Sequence, residues 1–136
     1  MSNTNTDKKK EFINKVKKEI SPEIIKLGFT RKNLSFRKEA IDKIFFITFQ
    51  FGRSSLTGKV ILELGILNLS KLLDWEKCLP IQNLNYDSAQ ERQRIGSIKK
   101  GEDGIWFDYE NDDIEEIIKK INELLDKELP LFFNNK

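Results

Sequence analysis

Ile44-Phe45-Phe46-Ile47-Thr48-Phe49-Gln50-Phe51 constrains the fold more than any other stretch, because no other segment is as apolar or as rich in strand-forming residues. Left uncovered, such a strand would be an aggregation site, so the rest of the chain must cover it. Side chains alternate along a strand, which puts Phe45, Ile47, Phe49 and Phe51 on one wholly apolar face. The opposite face runs Ile44, Phe46, Thr48, Gln50, apolar at its start and polar at its end. The first face requires a packed layer. The second is expected to be covered at one end and open or hydrogen-bonded at the other, with Arg94 or the neighbouring loop as partner for a buried Gln50.

The elements around this strand can be read in order. Residues 1–5 form a flexible tail, and 6–136 form one domain. Phe12, Val16 and Ile20 recur at helical spacing over residues 6–20, with lysines on the outer face. Ser21-Pro22 restarts a helix that ends at Gly28. A strand is predicted over 31–38, then the central strand, then a clean alternation over 59–68 with Val60, Leu62, Leu64 and Ile66 inward. Three strands with short links imply an antiparallel meander, since a parallel crossover needs about a dozen residues or more. Residues 69–91 hold a short helix at 71–77, capped by Ser70, and then lose all periodicity; long irregular segments of this kind are often functional. A strand at 94–99, a turn at 100–104 and a return strand at 105–109 follow. Ile114, Ile117, Ile118, Ile121, Leu124 and Leu125 mark a last helix, capped by Asp112 or Asp113. Residues 129–133 fold back onto the core. The fold class is α+β: an antiparallel sheet of about five strands, with the N- and C-terminal helices packed on one face.

Composition limits the chemistry. The chain has 136 residues, no histidine and a single cysteine, Cys78. Ser-His-Asp and Cys-His nucleophilic pairs and histidine-bearing metal sites are therefore excluded, and neither a cofactor nor a metal site is expected. No apolar run approaches the roughly 20 residues of a membrane span. With no signal-like leader and no disulfide partner for Cys78, the expected location is cytoplasmic. Glu63 and Asp108, both mid-strand on faces opposite the apolar sets, could pair for acid–base work, and solvent-facing sheet residues explain them equally well.

Three binding surfaces emerge. Residues 1–60 carry 14 basic and 6 acidic residues, whereas 61–136 carry 10 and 16. The acidic last helix, with Asp112, Asp113, Glu115, Glu116 and Glu123, suits a basic protein partner, and a small non-catalytic protein of this type fits an immunity-like partner of a toxin. The alternative is a ligand-binding or enzymatic site in a polar groove. There Gln50, Arg92, Arg94 and Trp106 would receive an acidic or planar ligand. The structural alternative for these residues pairs Arg94 with a sheet carboxylate and packs Trp106 under a loop or helix. Nucleic-acid binding through Lys8, Lys9, Lys10, Lys15, Lys17 and Lys18 is the least favoured, because the aromatic residues mostly fall on inward positions and leave no stacking platform.

Leu27-Gly28-Phe29, Phe36-Arg37, Phe49-Gln50, Arg94-Ile95-Gly96 and Trp106-Phe107 follow one another in the order of the bacterial Domain of Unknown Function 4304 family, which the chain resembles from its first helix to its last. The family often has two tryptophans where this chain has Trp106-Phe107. The resemblance implies a compact α+β domain and assigns no activity.

Overall fold

The computed structural model of the chain describes residues 4–96 and 104–134. Helix α1 spans Thr4–Glu19, and α2, Ser21–Lys26, continues it after a break. Strands β1 (Thr30–Lys32), β2 (Ser35–Glu39), β3 (Lys43–Phe51) and β4 (Lys59–Asn68) form an antiparallel meander. A four-residue helix, α3 (Asp74–Lys77), interrupts the segment that leads to β5 (Glu91–Arg94). The two-residue strand β6 (Phe107–Asp108) and helix α4 (Ile114–Asn134) complete the chain. The fold is α+β, with an open six-stranded sheet and helices from both ends of the chain.

The apolar face of the central strand meets the layer it requires. Ile47 and Phe49 of β3 are buried with Val60, Leu62, Leu64 and Ile66 of β4, against Phe12 and Val16 of α1, Ile20 at the break before α2, and Ile117, Ile118, Ile121 and Leu125 of α4. Each such side chain contributes roughly 1.5–3 kcal/mol on burial, so this layer outweighs every other source of stability in the molecule. The aromatic rings interlock: Phe12 stacks on Tyr109 with centroids 5.5 Å apart and meets Phe49 and Phe51 edge-on at 6.3 Å. The Asn122 side chain donates to the carbonyl of Glu19 (3.2 Å), tying α4 to the end of α1. No described helix is long and apolar enough to cross a membrane.

Several boundaries differ from expectation. The single strand predicted over 31–38 is a hairpin, β1 and β2, closed at Asn33, whose φ of 57° is one of the left-handed conformations that asparagine tolerates. The helix expected at 71–77 is shorter and starts at Asp74, after a 3-10 turn at Leu69–Lys71. Strands β5 and β6 both pair with the outer edge of β4, β5 against Glu63–Ile66 and β6 against Lys59–Val60, instead of forming a hairpin with each other. One bond between these segments, from the Ile105 amide to the Ile95 carbonyl (2.9 Å), survives from that picture. Residues 97–99 of the expected strand and 100–103 of the expected turn lie outside the described residues. The C-terminal segment does not fold back: α4 runs through Pro130 to Asn134. Proline in a helix interior removes a backbone donor at a cost of about 3 kcal/mol. Here burial of Leu129 and Phe132, which continue the apolar stripe past the proline, offsets that cost.

Candidate ligand groove on the loop face of the sheet

The sheet face away from the helices carries Ile44, Phe46, Thr48 and Gln50 of β3, and strand register extends it sideways in rows. Arg37, Phe46, Gly65 and Arg92 lie side by side across four strands, and Ser35, Thr48, Glu63 and Arg94 form the next row. The two rows have different fates. The first is roofed by the irregular segment after β4, which builds a small second core of Ile44, Phe46, Leu67, Leu84 and Ala89 with Tyr86 packed beside it. Gly65 makes the close approach possible: a Cβ there would sit 2.9 Å from the Tyr86 ring.

Two arginines at the ends of that row hold the roof down. The Arg37 guanidinium donates to the carbonyls of Ile81 (3.0 Å), Leu84 (2.9 Å) and Gln82 (3.4 Å), and it pairs with Glu39 at 3.2 Å. Arg92 lies over the Tyr86 ring, 4.9 Å from its centroid, and donates to the carbonyls of Ala89 (3.1 Å) and Asp87. A planar fork with five donors suits this task, because a segment of short 3-10 turns, Ile81–Asn83 and Tyr86–Ser88, leaves carbonyls in need of partners. The Gln90 side chain adds a third fastening, accepting from the Asn68 amide (2.7 Å) and donating to its carbonyl (3.2 Å).

In the second row Thr48 and Glu63 are buried, Arg94 is half-buried and Ser35 is exposed. The Ser35 and Thr48 hydroxyls share a 2.8 Å hydrogen bond. Glu63 accepts from Arg94 Nε at 3.3 Å, and the Arg94 guanidinium lies 5.8 Å from the Trp106 ring centroid. Between the β1–β2 hairpin and the roofing loop this face opens into a groove of about 630 Å³, with Ser35, Thr48 and Gln50 on its floor. Arg31 and Lys32 stand on the hairpin side, and Asn83, Asn85, Tyr86 and Asp87 on the loop side. Burial, followed by the nearby Glu63 carboxylate, pushes the Tyr86 phenol above its ordinary range, so this hydroxyl stays protonated and able to donate.

The residues singled out from sequence are brought to one face but do not form one cluster. Gln50 is exposed and lines the groove, so it is not a buried amide seeking a partner; the partner of Arg94 is Glu63. Arg92 fastens the loop. Trp106 stacks with Arg94, as the structural alternative partly anticipated by giving Arg94 a sheet carboxylate. Ser35, Thr48 and Tyr86 also line the groove: strand register sets Ser35 beside Thr48, and the roofing segment brings in Tyr86 from a 3-10 turn at Tyr86–Ser88. Glu63 and Asp108 are not neighbours. They sit opposite Arg94 and Lys59, four residues apart along β4 and so separated by roughly 13 Å. Asp108 is instead the acceptor of a turn, bonded to the Asn111 side chain (2.9 Å) and to the amides of Asn111 and Glu110, and these bonds hold its carboxyl below the usual range. Among the described residues, no group of three or more acidic or cysteine side chains is placed to hold a metal ion.

On α4, Asp112, Asp113, Glu115, Glu116 and Glu123 are all exposed. Asp113 caps the helix by accepting from the Glu115 amide (3.2 Å), and Glu115 is ion-paired with Lys15 of α1. The α1 lysines other than Lys15 are exposed, and Lys9 lies over the Phe51 ring, 4.5 Å from its centroid.

The recurrent sequence motifs now have physical roles. Phe36 enters the main core while Arg37 fastens the loop, and Phe49 enters the core while Gln50 faces the groove. In Arg94-Ile95-Gly96, Ile95 is fully buried and Gly96, at a φ of 91°, turns its amide onto the Glu128 carboxylate of α4 (3.0 and 3.1 Å). No curated protein and no solved structure matches the chain. The family model described as a domain of unknown function (DUF4304) matches residues 20–135, and the chain belongs to that family.

Proposed function

We propose that this chain is a small binding protein that recognises a polar ligand in the loop-face groove without transforming it. The observation that carries this reading is the 630 Å³ groove itself, floored by hydroxyl and amide groups on rigid strands. Three charged groups beside it are already engaged, Arg37 and Arg92 with loop carbonyls and Glu63 with Arg94, which leaves Arg31 and Lys32 on the hairpin side and Asp87 on the loop side to meet a polar ligand. The exposed Gln50 amide and the acceptor capacity left on the paired Ser35 and Thr48 hydroxyls can orient a ligand by hydrogen bonds.

The test is a nitrogen–proton NMR titration of the full chain with a fragment panel of amides, carboxylates and amines. Binding fragments should shift the amides of Thr48, Gln50 and Tyr86. Gln50→Ala or Thr48→Val should weaken them by about 3- to 10-fold, the value of one hydrogen bond. Fragments that bind equally well to both variants, or shift only distant amides, would defeat the proposal. A second reading, a basic protein partner such as the toxin of an immunity-like pair, is favoured by the exposed carboxylates of Asp112, Asp113, Glu116 and Glu123. A lysine-rich peptide titrated under the same conditions would then shift α4 and leave the groove unchanged.

A further inference from the structure

The groove on the loop face carries opposite charges on its two walls. On the hairpin side, register pairs Lys32 of β1 with Ser35, and Ser35 with Thr48. Lys32 therefore continues the hydroxyl row of the floor, and its ammonium rises on the groove's own face. Arg31, opposite Phe36 in register, starts from the other face and donates to the Asn33 carbonyl (3.0 Å). On the loop side, Asp87 belongs to the Tyr86–Ser88 turn, which packs on β3 and β4. That turn is held from two directions: the Asp87 amide donates to Asn85 Oδ1 (2.9 Å), and the Asp87 carbonyl accepts from Arg92. Lys32 and Asp87 are both exposed, and neither side chain forms an ion pair among the described residues.

We infer, building on the reading of this groove as a binding site, that its ligand is a zwitterion of dipeptide size. The anionic group lies against Lys32 and the cationic group against Asp87. The two walls select for both charges at once: a purely anionic ligand would face Asp87 unfavourably, and a purely cationic one would face Lys32. Spacing sets the size. β1 and β3 are separated by β2, two strand spacings or roughly 10 Å, and side chains on a sheet stand roughly perpendicular to it instead of reaching across. A free amino acid carries both charges on one carbon and does not bridge such walls. A dipeptide places a peptide group between its charges, and the floor between Lys32 and Asp87 offers that group the Gln50 amide and the Ser35 hydroxyl. The groove's volume of about 630 Å³ accommodates a molecule of this size.

The experiment titrates the full chain with a panel of glycyl dipeptides under the NMR conditions given above. The tightest dipeptide is then compared in four forms: free at both ends, N-acetylated, C-amidated, and blocked at both ends. Each block should weaken binding by about 3- to 5-fold, as expected of one solvent-exposed ion pair. Lys32→Gln should abolish the penalty of amidation and leave that of acetylation, and Asp87→Asn should do the reverse; both residues are exposed, so both variants should fold. A free amino acid should bind no better than the doubly blocked dipeptide. Blocked and free forms that bind equally well would overturn the zwitterion and leave the groove standing as a binding site. So would penalties that survive in both variants. Failure of every dipeptide and every fragment to shift the amides of Thr48, Gln50 and Tyr86 would overturn both readings together.

Discussion

The two faces of the sheet are covered by different physics. On the helix face, β3 and β4 meet three helices through a continuous apolar layer in which Ile47, Leu62, Leu64 and Ile66 are fully buried. On the loop face, the buried cluster has only five members, and its cover has neither a ladder nor an amphipathic helix to hold it. Guanidinium groups do so instead, with Arg37 and Arg92 at opposite ends of one cross-strand row. Hydrophobic area is non-directional and tolerates approximate placement, whereas hydrogen bonds to specific carbonyls fix a loop in one position. The difference separates the roles of the faces: one holds the domain together, and the other holds a surface still.

The sharpest way to break this contrast is to cut into each face in turn. Phe49→Ala removes an aromatic ring from the helix face and should cost about 3–5 kcal/mol in urea unfolding at an unchanged m-value. A loss below about 1 kcal/mol would show that the helices do not depend on that face. Arg37→Ala should cost less, about 2 kcal/mol, because hydrogen bonds to charged groups contribute roughly 1.5–3 kcal/mol each and the freed carbonyls can reach water. Its signature is local: amide exchange across residues 81–89 should accelerate while β3 and β4 stay protected. Arg37→Lys should not restore protection, since a single ammonium cannot span three carbonyls. Unaltered exchange in either variant would refute the fastening role.

The smallest effect concerns the seam between the faces, where Glu128 of α4 receives the Gly96 amide. Burial raises the proton affinity of this carboxyl in the folded chain, against the opposing pull of the Gly96 amide and the Gln93 side chain. The folded state therefore binds the proton more tightly than the unfolded chain, and stability from this group is full at low pH and declines as pH rises through the folded-state pKa. Glu128→Gln should remove that decline, so the variant gains on the native chain as pH rises above the ordinary carboxyl range. Parallel stability–pH curves for the two proteins would contradict this account.

The same contrast explains what could be read from sequence. The helix face was legible because its signals are periodic: alternation in β3 and β4, and a 3.6-residue stripe in α4. The hairpin of β1 and β2 was merged into one strand because its turn is marked only by Asn33, without the glycine that usually accompanies such a turn. Pro130 misled in the opposite direction, since local propensity yielded to burial of Leu129 and Phe132. The loop face was legible only as a polarity change along β3. Its fastening joins Arg37 to carbonyls 44 to 47 residues away, and backbone carbonyls leave no trace in residue type. Gln50 lies at the polar end of the strand as its position implies, but it is exposed and not a buried amide. Ser35 and Tyr86 carry no sequence signal, because strand pairing brings one beside Thr48 and the path of the irregular segment brings the other.

Asn83, Asn85 and Asp87 line the groove on one side and, on the other, a depression walled by Leu73, Trp75 and Leu79. The segment between them is a thin partition, and Arg37 and Arg92 pin it to the sheet. Arg37→Ala, which frees this partition, would therefore alter two surfaces at once through a single set of residues.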